Sequence, residues 1–270
     1  MFVINPYYVY VNSRDRIAGT DKNFTYNIQF PDGEYDNVVC LNALVPKSYY
    51  LIQDGPLENI FQLKENSTTV TITVPIGSYL LSAFKTTIGT LLTNNSPNGL
   101  TYTLTFPSEL GANTGKWTFT QNNGSIVSSI IVNEHFFEPF GFFLNSTNVF
   151  NGTTLMSTTV IKLQSEDRLL IHSNMVNNGR DDILVSINST TSINFSSINY
   201  ECPAPEFYGH VLSSQNNNTY SFTLTDENGE LIQLNGLNMN ITLLFYKKDP
   251  IFDQIRNFFK ALSDKKITSY

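Results

Sequence analysis

Apolar and polar residues alternate through most of this chain. They do so in short runs rich in Val, Ile, Thr, Tyr and Phe that break at Asn-Gly, Asp-Gly and Pro. In Phe24-Thr25-Tyr26-Asn27-Ile28-Gln29-Phe30 four large side chains share one face, and the run stops at Pro31-Asp32-Gly33. A period of two is the signature of half-buried antiparallel strands. It predicts strands at about 23–30 and 37–45, the second ended by Pro46, and again at 168–172, 182–187, 220–225 and 239–246. Asp226-Glu227-Asn228-Gly229 then turns 220–225 back into 231–234 as a hairpin.

Two stretches break this texture. After the strand 70–74 and Pro75-Ile76-Gly77, the residues Leu80, Leu81, Phe84, Ile88, Leu91 and Leu92 fall on one helical face. They predict a helix over 78–92 with Ser78 as its N-cap. Alternating strands follow around Tyr102, Leu104 and Phe106 and around Trp117 and Phe119, and then the aromatic segment 136–143. That segment is expected to plug the space between helix and sheet. The block 67–149 therefore reads as a small α+β domain inserted in a mainly β chain.

At the other end, Asp249 and Pro250 suit the cap and first position of a second amphipathic helix. Ile251, Phe252, Ile255, Phe258, Phe259 and Leu262 line one side of it. Burying six such side chains would contribute roughly 9–18 kcal/mol in transfer terms, so this face is expected to be covered. The chain's own β domain, a partner subunit and a membrane surface are the candidates. The N-terminal stretch holding Tyr7, Tyr8 and Tyr10 is either an ordered first strand or an arm that orders against a neighbouring subunit.

Composition narrows the function. Aromatics reach 13%, with 20 Phe and 14 Tyr, while charged residues are only 14% of the 270. That is well under the usual quarter, so Asn, Ser and Thr cover the surface. Such a surface packs against other protein at little desolvation cost and suits an assembly component. The net charge is −7 and Lys and Arg form no run, which argues against nucleic-acid binding. Cys40 and Cys202 show no CxxC spacing and read as free thiols of a reducing compartment. No secretory leader is expected from Met1-Phe2-Val3-Ile4-Asn5-Pro6, and no apolar run is long enough to span a bilayer. The frequent Asn-x-Ser/Thr sequons, as at Asn23, Asn66, Asn145 and Asn240, read as a by-product of Asn-rich composition.

Candidate chemistry is sparse. His135, His172 and His210 lie in no metal-binding spacing, and neither a GxSxG elbow nor a phosphate loop occurs. Glu166, Asp167, Asp181 and Asp182 flank strands beside Arg168 and Arg180. They read as turn residues, and a carboxylate pair for glycoside cleavage is the weaker alternative. No catalytic, cofactor-binding or metal residue is assigned, and no enzyme is expected.

The order of parts resembles a family. An apolar strand runs into Pro and an irregular stretch, Leu41-Asn42-Ala43-Leu44-Val45-Pro46-Lys47-Ser48-Tyr49-Tyr50. Strand-Pro-x-Gly-x-Tyr-helix follows in Ile72-Thr73-Val74-Pro75-Ile76-Gly77-Ser78-Tyr79-Leu80, then the aromatic Gly-Phe segment, the strand Asp182-Ile183-Leu184, and a last strand at 243–246. From about 10 to 248 the chain is similar to the penton, or vertex, capsid proteins of virophages and of Polinton-like and related DNA viruses.

The resemblance implies a single jelly-roll β-sandwich built from 1–66 and 150–248, with 67–149 inserted and 249–270 as a C-terminal helix and tail. It implies a homopentamer at the five-fold vertex of an icosahedral double-stranded DNA virion, assembled in the host cytoplasm or nucleus. The neighbour would be a trimeric double-jelly-roll major capsid protein. Minor capsid proteins, an internal membrane and a host receptor met through the insertion are further candidate partners. The family offers no catalytic residues to carry over. The alternative is a receptor- or carbohydrate-binding β-sandwich module, which fold alone does not separate from a capsid protein.

Overall fold

The predicted alternation becomes strands whose partners lie far away in sequence. The computed structural model describes residues 3–31, 35–55, 57–106, 113–163, 168–176, 182–189, 195–205, 207–213 and 218–248. The chain begins with β1 (Val3–Asn12), β2 (Ala18–Gly19), β3 (Asn23–Asn27) and β4 (Asn37–Pro46). It continues through β5 (Ile60–Glu65), β6 (Thr68–Thr73), helix α1 (Leu81–Asn94), β7 (Tyr102–Thr105), β8 (Thr118–Gln121) and β9 (Ser128–Ile131). Then come helix α2 (Phe137–Phe140), β10 (Thr147–Val149) and β11 (Thr154–Met156). It closes with β12 (Arg168–Ser173), β13 (Ile183–Asn188), β14 (Ser197–Glu201), β15 (His210–Val211), β16 (Thr219–Thr225) and β17 (Asn240–Lys248). Two compact units result, one from 1–49 with 166–270 and one from 50–165.

The first unit is a sandwich of two antiparallel sheets. One has the order β1-β17-β4-β14, with β15 also beside β4, and the other has the order β13-β12-β16-β3-β2. The pairings are nested. β12 pairs with β13, then β4 with β14, then β3 with β16, then β1 with β17, all antiparallel. Successive nested pairs alternate between the two sheets. A long hairpin rolled upon itself produces this pattern, so the unit is a jelly roll.

The inner faces supply Val11, Val38, Ala43, Val45, Ile241, Leu243 and Phe245 from one sheet. Phe24, Leu169, Ile171, Phe222 and Leu224 come from the other, and all of these are buried. Phe24 and Phe222, opposite each other in the β3–β16 ladder, stack at 5.4 Å between centroids. Each such side chain contributes roughly 1.5–3 kcal/mol on burial. Strand β4 shows why its sequence is a continuous apolar run. Val38 and Cys40 join the inner core, while Val39 packs on the outer face with Leu244, Tyr246, Leu41 and Cys202.

Some elements end earlier than their pattern suggests. β3 stops at Asn27, because Phe30 leaves the ladder to meet Phe245 edge-on at 4.9 Å. The stretch 231–234 is not a full strand. It touches β16 through a bridge from Thr225 to Leu231 and the Ile232 N–H to Leu224 O bond.

The second unit corrects the expected boundaries of 67 and 149. β5 lies between β6 and β9 in the sheet β10-β9-β5-β6, and β11 extends the sheet β11-β8-β7. Strands on both sides of the expected insertion are therefore part of its sheets, and the inserted unit runs from Tyr50 to Ser165. Its core holds Phe61, Leu63, Phe84, Ile88, Leu92, Trp117 and Phe119, closed by Phe136, Phe140 and Phe142.

Helix α1 begins at Leu81, three residues later than the expected start. Ser78 is not its cap. The chain before it is held extended by paired backbone bonds between Ile52 and Gly77 and by the Tyr79 hydroxyl donating to Pro75 O. Phe84, Ile88 and Leu92 face the core, while Leu80 stays exposed. The stretch 249–270, where the terminal helix is expected, lies outside the described residues.

A buried carboxylate fastens the loop after α1. Glu65, in phase with Phe61 and Leu63 on β5, accepts from Ser96 Oγ at 2.7 Å, Asn98 N at 2.9 Å, Asn98 Nδ2 at 3.0 Å and the Tyr102 hydroxyl at 2.8 Å. Burial alone would raise its pKa, but these donors outweigh it and hold the carboxyl below its ordinary value of 4.5. Glu65 therefore stabilises the fold above about pH 4.5, and this stability is lost as pH falls through the depressed folded value. Glu65→Ala should cost about 3 kcal/mol at neutral pH by stranding buried donors, and Glu65→Gln less. Chemical denaturation of the three proteins at pH 7 and in mild acid checks this. Equal stability of Glu65→Ala and the native protein at pH 7 would refute it.

Candidate interaction surfaces

β1 is an edge strand, and the parity of its ladder decides what it shows to solvent. Its register with β17 pairs Tyr7 with Phe245, Val9 with Leu243 and Val11 with Ile241, and it continues as Ser13 N–H bonding Met239 O at 3.0 Å. Residues 7, 9, 11 and 13 thus turn their backbone groups toward β17, and Tyr8 and Tyr10 turn theirs away. Side chains alternate as well. Tyr7 is half-buried, packs on Phe30 and Tyr35, and donates its hydroxyl to Gln29 O. Tyr8 and Tyr10 are 51% and 73% exposed. The N-terminal stretch is therefore an ordered strand, with one of the three tyrosines directed inward and two outward.

The other set of predicted contact residues, Ile251, Phe252, Ile255, Phe258, Phe259 and Leu262, lies outside the described residues, as do Glu166, Asp167, Arg180 and Asp181.

Each histidine is tied into the fold. His135 sits beside Glu134 at 3.6 Å. His172 on β12 lies 2.6 Å from an Asp182 oxygen through Nδ1 and 3.0 Å from Thr225 Oγ1 through Nε2. This connectivity is that of an acid–imidazole–hydroxyl relay. The Thr225 hydroxyl donates onward to Asp226 O at 2.9 Å, so the chain of bonds ends on backbone. Asp226 in turn holds its loop by accepting from Asn228 N and Glu230 N. The relay fastens β12, β13 and β16 together. Among the described residues no three His, Cys, Asp or Glu side chains are grouped to hold a metal ion.

His210 pins a strap that sequence reasoning missed. The segment from Cys202 to Val211 begins with Cys202 N–H bonding Leu41 O and ends as β15 beside Val38 and Asn37. Gly209 packs so closely on the Tyr246 hydroxyl that a Cβ would collide with it. Phe207, Tyr208 and Val211 stay exposed. His210 Nε2 lies 3.0 Å from Leu184 O, the residue bulged out of the β12–β13 register. The only sequence signal was Gly209 itself, set between aromatic and imidazole side chains. Burial pushes the His210 pKa down, against the smaller opposing effect of the Leu184 carbonyl. Burial likewise pushes the Cys40 thiol up to about 12, which keeps it protonated and unreactive.

A polar groove of about 530 Å³ lies beside β2, lined by Arg14, Arg16, Thr20, Asp21 and Asn238 among others. Arg16 is committed to Gly19 O and Ser13 O and serves as a staple of the loop. Phe136, Phe140 and Phe142 of the aromatic segment are fully buried and offer no ligand surface. Among the described residues no helix is long and apolar enough to cross a membrane.

These features define a jelly-roll protein with a folded insertion, whose exposed aromatics include Tyr8 and Tyr10 on one sheet edge and Phe207 and Tyr208 on one strap. No protein-family model matches the chain, and no curated protein matches it. A solved structure similar to it is that of the selenomethionine-labelled mavirus penton protein. The two are 13% identical with a TM-score of 0.45, over 89% of this chain and 99% of that one.

The His210 environment sets a pH dependence. The unfolded chain protonates this imidazole near 6.5, the folded chain only at lower pH. Above that value both are neutral and the group is silent. Below it the unfolded state holds more protons and stability falls. Denaturation between about pH 7.5 and 5.5 should therefore show a steeper loss for the native protein than for His210→Gln. Parallel curves would remove His210 as the cause.

Proposed function

We propose that this chain is a structural capsid protein forming the pentameric vertex of an icosahedral double-stranded DNA virus. The observation that carries the reading is the placing of the insertion. The jelly roll is interrupted between β4 and β12, the third and fourth strands of the eight that wrap, and a separately cored unit stands there. This is the architecture that the sequence resemblance implies. Five copies would close around the vertex by heterologous contacts, in which each copy presents one surface to the next and receives another. The trimeric major capsid protein would surround the ring. The low charge content favours packing against other protein, and the role assigned is structural, not catalytic.

A tag in the turn 123–125 tests this, since the side chains of these residues are exposed. The loop after α1 is unsuitable because Ser96 and Asn98 are bound to Glu65. Electron microscopy of purified particles should show the label confined to the five-fold vertices. Label spread over the facets, or particles without the protein, would overturn the reading and favour a glycan-binding module.

A further inference from the structure

The free edge of β1 is built for a second strand. Tyr8 and Tyr10 direct their N–H and C=O groups away from β17, and the only bond described on them is a long one, Tyr26 hydroxyl to Tyr10 O at 3.4 Å. Natural edges are guarded by charges, prolines or bulges. The register of β1 does shift between Ile4 and Tyr7, around Pro6, but beyond it Tyr7-Tyr8-Val9-Tyr10-Val11-Asn12 is regular and carries no charge. The other long edges of this unit differ. β14 exposes Ser197, Asn199 and Glu201, and β13 exposes Ser186 and Asn188. β1 alone of the three exposes aromatic rings.

We propose that β1 pairs antiparallel with β1 of a second copy of this chain, joining two sheets into one across a two-fold axis. The edge is self-complementary, and this names its occupant. If Tyr8 stands opposite the second copy's Tyr10, then Tyr10 stands opposite its Tyr8. Each pair exchanges both backbone bonds, because these are the residues whose groups face outward. The two Val9 residues meet at the centre. The exposed tyrosine rings come together on one face as cross-strand neighbours, the arrangement that stabilises a sheet. Such a contact is isologous and uses one patch on both partners. It does not depend on the vertex reading, which needs heterologous contacts elsewhere.

Sedimentation velocity of the full chain, from low to high micromolar concentration, tests the proposal together with amide hydrogen exchange. The mass should double across the series. The Tyr8 and Tyr10 amides should slow as it does, while those of Val9 and Val11 stay protected throughout. Tyr10→Pro removes an outward N–H and an exposed ring, losses an edge strand tolerates, so it should stay monomeric with an unchanged melting temperature. The double variant Tyr8→Lys/Tyr10→Lys keeps every backbone group and should also stay monomeric. A chain monomeric at every concentration overturns the proposal, as does a dimer that survives in both variants. A five-membered ring whose Tyr8 and Tyr10 amides exchange freely would overturn it too, while supporting the vertex reading.

Discussion

The ladder between β17 and β4 is the contact on which the jelly roll depends. It joins the last described strand to the third wrapped strand, across everything inserted between them. Among the described residues, the sheet partner of β1 is β17, and the sheet partner of both β14 and β15 is β4. Without it one sheet would separate into two narrow ribbons, and two-stranded ribbons are marginal in water. The entropy of closing so long a connection grows slowly with its length, roughly as its logarithm. This is why a whole folded unit can stand between β4 and β12 at little cost to the ladder. The same non-local pairing makes slow folding the natural expectation for the first unit.

The two units balance apolar and polar anchoring differently. The jelly roll is held by facing rows of aliphatic and aromatic side chains, and its buried carboxylate Asp226 is satisfied within its own turn by Asn228 N and Glu230 N. The inserted unit places a carboxylate among its buried side chains and satisfies it with donors from one loop and one strand. A buried charge without such donors would be strongly destabilising, and with them it fixes one loop conformation. Specificity in the insertion thus comes from geometry at Glu65 as well as from packing.

Much of the fold was legible as alternation. The strands at 168–172, 182–187, 220–225 and 239–246 follow from single-strand patterning, and β4 followed from its length and its ending at Pro46. What alternation does not carry is partnership. Asn66 and Ser67 turn 60–65 back into 68–73 as a tight hairpin, so the two strands belong together, but nothing local says that 60–65 also joins 128–131, and an insertion begun at 67 cuts that hairpin. The helix start failed for a related reason. Ser78 has the chemistry of a cap, but a tertiary backbone pair between Ile52 and Gly77 holds the preceding chain extended. The tyrosines of β1 were visible as an aromatic run. Their division into one inward and two outward rings appears only once the register with β17 is known. Glu65 could have been noticed, since an acid in phase with Phe61 and Leu63 is an exception to its strand. The strap pinned by His210 had no comparable signal, because its short β15 pairing is set by tertiary contacts.

The β1–β17 register places Val3 opposite Lys248, so the described chain begins and ends at one corner of the sandwich. This has a mechanical consequence. Tension applied between the two ends would load the ladder at its terminal pair and open it one hydrogen bond after another, as a zipper opens. Tension along the strands would instead strain many bonds at once. The unit is therefore weakest against forces that separate its own ends. It is strongest where its strands lie parallel to the load, so how each end is tethered decides how much force the unit can bear.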